Sequence, residues 1–155
     1  MAKGIYKITE EFEQRLADYT GAKYVITLDN MSNGLFLALY YEHYVNKSIK
    51  TDTIMCVSFT GPYKHFKLSK GGAILTDNVK AYRWFKRARY SGRRECSYHE
   101  DNLDMLGWNF YMMPELSARG LLLMNQFYDM EGNKKHNEDL TLPYPDLSQF
   151  KIYNK

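Results

Sequence analysis

Lys64 is the side chain of this sequence that offers covalent chemistry. Two apolar runs typical of β-strands, residues 54–57 and 73–75, flank the polar segment that contains it. A lysine amine becomes nucleophilic when partial burial lowers its pKa, and it can then hold an aldehyde cofactor as a Schiff base. The ordinary alternative is a solvated loop lysine, which is the commoner case because lysine side chains are mostly exposed. The spacing alone does not choose between these interpretations.

A second chemical feature is the polar turn of residues 29–34, which follows a predicted strand at 24–28 and precedes a predicted apolar helix over 35–44. The N-terminus of a helix presents unpaired N–H groups and a positive dipole, so it is a ready site for an anion. The ordinary role of such a turn is to cap the helix, here through Ser32 or Asn33. The two roles are compatible.

Size and charge restrict the classes of protein that fit this chain. Its 155 residues are enough for one domain with a core, and its aromatic content of 15%, including 14 tyrosines, is typical of a folding sequence. The net charge of +3 is small. A nucleic-acid-binding protein would concentrate basic residues on one face, so we expect no nucleic-acid partner.

The cysteine content predicts a reduced, cytoplasmic environment and no metal site. The sequence contains only Cys56 and Cys96. Cys56 falls in a strand pattern, where it acts as a small buried hydrophobe. Cys96 and the nearby His99 lack the second pair of ligands that a structural zinc site needs. No apolar run is long enough to cross a bilayer, so we expect no membrane association.

Three further helices are predicted from apolar spacing and from signals at their ends. The first has Thr9 as its N-cap and ends at Gly21. The next covers residues 78–90, and the last begins at Pro114, a residue suited to the first helical position. Residues 129–155 are mostly polar and are expected to form an extended tail.

The helix predicted over 78–90 carries a basic cluster that continues beyond its end. Its members are Arg83, Lys86, Arg87, Arg89, Arg93 and Arg94. The ordinary interpretation is a solvated face. The functional alternative is a surface that attracts a diphosphate-bearing substrate, since arginine pairs bidentately with phosphate oxygens.

Two segments of the sequence share a pattern with one enzyme family. The residues that carry it are Ser58-Phe59, Lys64-His65, Gly71-Gly72 and the run from Gly107 through Asn109 to Glu115. In this order and separation they resemble the DegT/DnrJ/EryC1/StrS sugar aminotransferases, which use pyridoxal 5'-phosphate (PLP). The apolar helix after the turn at 29–34 is similar to the segment that holds the PLP phosphate in that family.

The resemblance implies roles for particular polar side chains. Lys64 would hold PLP and later move the substrate proton as acid and base. Ser32, Asn33 and Ser58 would bind the phosphate, joined by Asn109 from a second subunit, so a homodimer is implied. The amino donor would be glutamate, and the acceptor would be a keto-sugar linked to a nucleotide.

The sequence departs from the family by omission. Full members carry further strands and helices between the phosphate helix and the lysine strand, and with them the aspartate that pairs with the pyridine nitrogen of PLP. The resemblance implies an α/β fold, namely a reduced large-domain remnant of the PLP-transferase fold (aspartate aminotransferase-like, fold type I). It also implies a small mixed sheet packed by helices, in which strands 24–28 and 54–58 flank an antiparallel strand at 73–77. Residues 1–155 would form a single shortened domain.

Two alternatives to an active enzyme stay open. One is a catalytically inactive relative that dimerises and acts as a binding or assembly protein. The other is a chain that needs a partner to supply the missing strands, which would pair with the open edge at 54–58. The missing aspartate favours an inactive relative, whereas the retained Lys64 counts against it.

Overall fold

The computed structural model describes residues 2–46, 54–61 and 66–129. The helices are α1 (Ala2–Thr20), α2 (Met31–Tyr40), α3 (Val79–Ala88) and α4 (Pro114–Asp129). The strands are β1 (Tyr24–Leu28), β2 (Ile54–Ser58) and β3 (Gly72–Thr76). A π-helical turn, Tyr41–Asn46, continues α2, and a 3₁₀ turn, Tyr98–Glu100, lies between α3 and α4.

The three strands form one sheet in the order β1-β3-β2. The central strand β3 runs antiparallel to both neighbours, so β1 and β2 point in the same direction. This order confirms the predicted arrangement of the three strands. The expected mixed sheet is wrong for the described part of the chain, because β3 separates the two strands that run in parallel and every paired contact is antiparallel.

Helices cover both faces of the sheet, which gives a mixed α/β architecture. Successive residues of a strand point to opposite faces. Ala73 and Leu75 of β3 therefore belong to one hydrophobic cluster, with Phe12 of α1 and Met124 of α4. Ile74 belongs to the other cluster, which contains residues of α2 and α3.

The first helix begins earlier than the sequence predicts. Thr9, the expected N-cap, is instead a buried residue within α1, and its hydroxyl lies 3.1 Å from the hydroxyl of Ser117 in α4. Tertiary packing accounts for the added turns, since the ring of Tyr6 packs edge-on against Tyr90. The predicted end is confirmed: Gly21 has a φ of 81°, which glycine adopts without strain.

The last helix packs against the first. It begins at Pro114, as predicted, and a side-chain carbon on Gly120 would overlap the ring of Phe12. Asp129, expected in the tail, is the last residue of α4, and residues 130–155 lie outside the described ranges. None of the described helices combines the length and apolar character needed to span a bilayer.

Candidate functional site

The ends of β1 and β2 and the beginning of β3 meet at one edge of the sheet. Leu28, the last residue of β1, and Ser58, the last residue of β2, both lie opposite Gly72. Because paired strands lie about 5 Å apart, Leu28 and Ser58 are separated by roughly 10 Å. We call this end of the sheet, defined by Leu28, Ser58 and Gly72, the carboxyl edge. Ligands of α/β proteins commonly bind outside the carboxyl ends of strands.

The first turn of α2 lies beside the carboxyl edge. Asn30 is the N-cap, with extended backbone, and its side-chain oxygen accepts the N–H of Asn33 at 2.8 Å. The side-chain amide of Asn33 donates to Asp29 at 2.8 Å. The prediction of Ser32 or Asn33 as the cap is wrong, because the helix already begins at Met31.

Ser32 is the exposed residue of this turn. Backbone N–H groups in the first turn of a helix have no acceptor within the helix, and the positive end of the helix dipole lies there. Asn33 already uses its backbone N–H and its side-chain amide on Asn30 and Asp29. Ser32 therefore offers a hydroxyl and an N–H at a place that suits an anion such as phosphate.

Two adjacent glycines allow other segments to approach the carboxyl edge closely. A side-chain carbon on Gly72 would lie 2.9 Å from the backbone nitrogen of Met31 and 2.8 Å from the carbonyl oxygen of Val57. Gly71 has a φ of 121°, and a side-chain carbon there would lie 2.7 Å from the Cε of Met112. The absence of a side chain at Gly72 lets α2 lie against the end of β3, and its absence at Gly71 leaves room for Met112.

Ser58 ends β2 at the carboxyl edge and begins a turn with Thr60. Its hydroxyl lies 2.9 Å from the hydroxyl of Thr60 and accepts the backbone N–H of Thr60 at 3.1 Å. A phosphate group could bind the Ser58 hydroxyl only in competition with these local hydrogen bonds.

Lys64 lies outside the described residues, but the chain on either side of it is held near the carboxyl edge. The N–H of Phe59 donates to the carbonyl oxygen of Gly71 at 3.0 Å, and the N–H of Leu68 donates to the carbonyl oxygen of Phe59 at 2.7 Å. Phe66 is buried, and its ring centroid lies 5.5 Å from that of Phe59. Both flanks of the lysine segment thus end close to β2 and β3.

Asn109 lies in an extended segment that main-chain hydrogen bonds attach to the same region. It pairs with Tyr90 in an isolated antiparallel bridge, and the N–H of Phe110 donates to the carbonyl oxygen of Arg89 at 2.9 Å. The carbonyl oxygen of Phe110 accepts the N–H of Asp29, also at 2.9 Å. Asn109 is exposed. Its segment therefore meets the turn before α2, and its predicted role in phosphate binding stays a prediction.

A buried charge cluster lies beside β1, and the sequence does not predict its pairing between distant residues. Arg89 is fully buried, and its guanidinium donates to both carboxylate oxygens of Glu13 and, at 2.7 Å, to the carbonyl oxygen of Thr27. A second ion pair joins Arg89 to Glu95 at 3.3 Å. The guanidinium also lies 4.8 Å from the ring centroid of Tyr111. The interpretation of Arg89 as part of a solvated face is therefore wrong.

Most members of the predicted basic cluster form ion pairs with carboxylates of the same chain. The further ion pairs are Lys86 with Glu10 and Glu95, Arg87 with Asp104, and Arg93 with Asp101. Arg83 and Arg94 are exposed, and neither forms an ion pair with another described residue. The spacing of Arg89 from Tyr82 and Phe85 is the sequence signal for its burial, because it places all three on one side of the helix.

The environment of the cluster shifts the pKa values of its members. Burial raises the pKa of Glu95, although the charges of Arg89 and Lys86 oppose this. Burial disfavours the Lys86 ammonium, but Glu95 and Tyr82 outweigh that effect and raise the pKa of Lys86. In the same way, burial disfavours the Arg89 guanidinium, but Glu13 and Glu95 together outweigh that effect and raise the pKa of Arg89. The two cations stay charged, whereas Glu95 takes up a proton at a higher pH than an ordinary glutamate.

A cavity of about 250 Å³ lies away from the candidate site. Its wall includes Glu10 of α1, Tyr24 of β1 and Lys86 of α3. Tyr24 is the first residue of β1, so the cavity lies at the end of the sheet opposite the carboxyl edge. Of the predicted site residues that the structure describes, namely Ser32, Asn33, Ser58 and Asn109, none lines it.

The two cysteines and the acidic side chains present no metal-binding arrangement in the described ranges. No group of three or more His, Cys, Asp and Glu side chains is placed there to hold a metal ion. Cys56 is buried in β2, as predicted, and burial raises the pKa of its thiol to about 12. It is a packing residue of the strand.

The first part of the chain matches the model of a known family. Residues 3–48 match the model of the DegT/DnrJ/EryC1/StrS aminotransferase family. The matched residues, less than a third of the 155, include β1, α2 and the turn that contains Ser32 and Asn33. The match confirms the family resemblance that the sequence indicated. No curated protein is significantly similar to the chain.

Proposed function

We propose that this relative of the DegT/DnrJ/EryC1/StrS aminotransferases is a PLP-binding, aminotransferase-like protein whose cofactor site is the carboxyl edge. One observation carries the proposal: the first turn of α2 and the end of β2 meet at this edge. The family match over residues 3–48 supports it independently, because it covers the first of these segments. PLP-dependence is general in that family.

The phosphate group of PLP fits the first turn of α2. Ser32 would donate its hydroxyl and backbone N–H there, where the helix dipole favours negative charge. Ser58 would add a hydroxyl from the end of β2. Asn33 would contribute its side-chain amide only by exchanging its 2.8 Å hydrogen bond with Asp29 for one with the phosphate. Asn109, which is exposed, would complete the site from a second subunit.

Lys64 would carry the chemistry of the site. When bound, PLP supplies an electron sink for a substrate that loses its Cα proton. Lys64 would hold the cofactor covalently and, once released, move the proton at the substrate carbon as acid and base. Glutamate would be the amino donor and a nucleotide-linked keto-sugar the acceptor.

The same proposal includes a homodimer built from single shortened domains of residues 1–155. It treats the described α/β architecture as a reduced remnant of the PLP-transferase large domain. The strand order β1-β3-β2 supports this, since β3 is central and antiparallel, as the family resemblance implies.

A second candidate function is a catalytically inactive relative that binds or assembles as a dimer, or that needs a partner chain. The charges of the described residues favour it. Asp77 lies at the end of the sheet opposite the carboxyl edge and accepts the N–H of Lys23 at 2.9 Å. Asp29, near the edge, is engaged by Asn33. Asp77 is therefore not placed to pair with the pyridine nitrogen of PLP, and the carboxylate of Asp29 is already hydrogen-bonded.

Reductive trapping tests the proposal and separates the two candidates. The purified protein is incubated with PLP, reduced with borohydride, digested and mapped by mass spectrometry. We expect the cofactor mass on the peptide that contains Lys64, in excess over any label on the exposed neighbours Lys67 and Lys70. In a separate sample that has not been reduced, release of 2-oxoglutarate from glutamate would support the aminotransferase, and its absence would favour the inactive relative. Equal labelling of all three lysines contradicts a specific PLP site.

A further inference from the structure

Arg89 joins two segments of the candidate site, one through its side chain and one through its backbone. Its Nη1 donates to the carbonyl oxygen of Thr27 at 2.7 Å, and its own carbonyl oxygen accepts the N–H of Phe110 at 2.9 Å. The carbonyl oxygen of Phe110 accepts the N–H of Asp29 at 2.9 Å. Asp29 follows Thr27 by two residues, so these three hydrogen bonds close a ring.

The ring lies directly next to the residues proposed to bind phosphate. Asp29 is followed by Asn30, the N-cap of α2, and Phe110 is preceded by Asn109. A shift of Arg89 therefore moves the Asn109 segment relative to the first turn of α2. The connection uses main-chain atoms at every point except the Arg89 guanidinium, so that group is the part of the ring that a substitution can change.

The guanidinium is itself held on several sides. Glu13 contacts it with both oxygens, and one of these oxygens also accepts the backbone N–H and the hydroxyl of Thr27, each at 2.9 Å. Glu95 lies 3.3 Å away, and the ring of Tyr111 covers one face. The attraction within a buried ion pair is largely offset by the desolvation of its charges. The main effect of the cluster is therefore to hold the Arg89 guanidinium in one position.

We infer that Arg89 is a positioning residue that fixes the distance between the first turn of α2 and Asn109. Its assignment to PLP binding rests on the proposed function, in which the first turn of α2 binds the phosphate in its own subunit and Asn109 reaches the phosphate site of the second subunit. All three hydrogen bonds of the ring join protein atoms, so the ring can be tested separately from PLP binding.

Amide hydrogen exchange, measured by NMR on the whole chain, reports directly on the two backbone N–H groups that donate hydrogen bonds in the ring, those of Asp29 and Phe110. Arg89→Lys keeps the positive charge but loses the planar fork that reaches Thr27 and Glu13 together. We expect exchange of the Asp29 and Phe110 N–H groups to accelerate at least about tenfold more than exchange of Ile74 in the central strand. Arg83→Lys, an exposed change in the same helix, is the matched control and should leave all three unchanged.

A PLP titration of the same variants gives the second readout. We expect the dissociation constant to rise about tenfold in Arg89→Lys and to stay unchanged in Arg83→Lys, because loosely supported binding groups lose affinity. If the unmutated protein binds no PLP but the exchange effect is selective, the proposed function fails and the positioning role of Arg89 stands. Equal acceleration at Asp29, Phe110 and Ile74 overturns the inference, since Arg89 would then act on global stability alone. If Arg89→Lys does not fold, Glu13→Gln, which removes the charge opposite the guanidinium, takes its place. The same comparison of exchange at Asp29 and Phe110 with exchange at Ile74 then tests the inference.

Discussion

Gly72 lies in direct contact with the backbone of Met31. A side-chain carbon at position 72 would lie 2.8 Å from the Cα of Met31 and 2.9 Å from its nitrogen. The contact joins the first residue of β3 to the first residue of α2, and it places the positive end of a helix against the carboxyl edge. The position of the candidate anion site thus depends on the lack of a side chain at one residue.

Gly72→Ala should destabilise the protein by about 1–3 kcal/mol, because the added methyl group meets only backbone atoms and cannot be relieved by a rotamer change. Urea unfolding followed by circular dichroism measures the loss. Gly4→Ala is the matched control: no atom lies within 4 Å of the added carbon, and alanine in an exposed helix should stabilise by up to about 1 kcal/mol. Equal stability of Gly72→Ala and the unmutated protein would contradict the close contact.

Asn30 and Ser32 should respond differently to replacement by alanine. Asn30→Ala removes the N-cap of α2 and should cost about 1 kcal/mol of stability. Ser32→Ala should leave the unfolding free energy nearly unchanged because its side chain is exposed, but it should weaken PLP binding about tenfold by removing a donor to phosphate. Urea unfolding and PLP titration of both variants make the comparison. A loss of stability in Ser32→Ala with unchanged PLP affinity would contradict both assignments. It would show that Ser32, and not Asn30, caps α2, and that Ser32 does not bind phosphate.

The buried carboxylate of Glu95 should make stability depend on pH. Burial raises the pKa of Glu95, so the folded chain keeps this proton at a pH where the unfolded chain has lost it. The contribution of Glu95 to the free energy of unfolding is therefore fully present below the ordinary pKa of glutamate, about 4.3. It is lost as the pH rises through the raised pKa of Glu95 in the folded protein. Glu95→Gln does not titrate, so the stability of this variant relative to the unmutated protein should increase with pH across that window.

Urea unfolding at several pH values from the acid range to neutrality measures this difference. Glu11→Gln, at an exposed position of α1, controls for the loss of one carboxylate charge. A constant difference between Glu95→Gln and the unmutated protein at all pH values would show that Glu95 does not titrate differently on folding.

The two thiols should differ in reactivity. Burial raises the pKa of Cys56 to about 12, and only 1% of this residue is exposed, whereas Cys96 is half-buried. N-ethylmaleimide should therefore modify Cys96 at least about tenfold faster than Cys56 in the native protein, since the thiolate is the reacting form. Mass spectrometry of the digested protein measures both rates, and unfolding in urea should make them similar. Comparable native rates would place Cys56 outside the core.

The strands and most helix ends could be predicted because their causes are local. The apolar runs that became β1, β2 and β3, the glycine at position 21 and the proline at 114 each carry their own signal in the sequence. Thr9 gave a false signal. Its position before two glutamates is typical of an N-cap, but contacts with α4 and with Tyr90 extend the helix past it.

The buried charge cluster around Arg89 could not be predicted, because its contacts join residues that are distant in sequence. The spacing of Arg89 placed it on the same side of its helix as Phe85, but nothing local indicates that Glu13, 76 residues earlier, would lie opposite. The close approach of Met31 to Gly72 has the same origin, since it follows from how α2 packs against the sheet. Family resemblance supplied the roles of Lys64, Ser32, Asn33, Ser58 and Asn109, and these roles stay predictions.

Absorbance spectroscopy of the protein with added PLP tests the central claim most directly. The unmutated chain should develop a visible band as PLP becomes attached to a lysine, and Lys64→Ala should abolish it. Lys67→Ala and Lys70→Ala, at exposed positions of the same segment, should keep the band and so control for nonspecific attachment. Absence of the band in the unmutated protein, or its persistence in Lys64→Ala, would contradict the proposal that this chain binds PLP through Lys64.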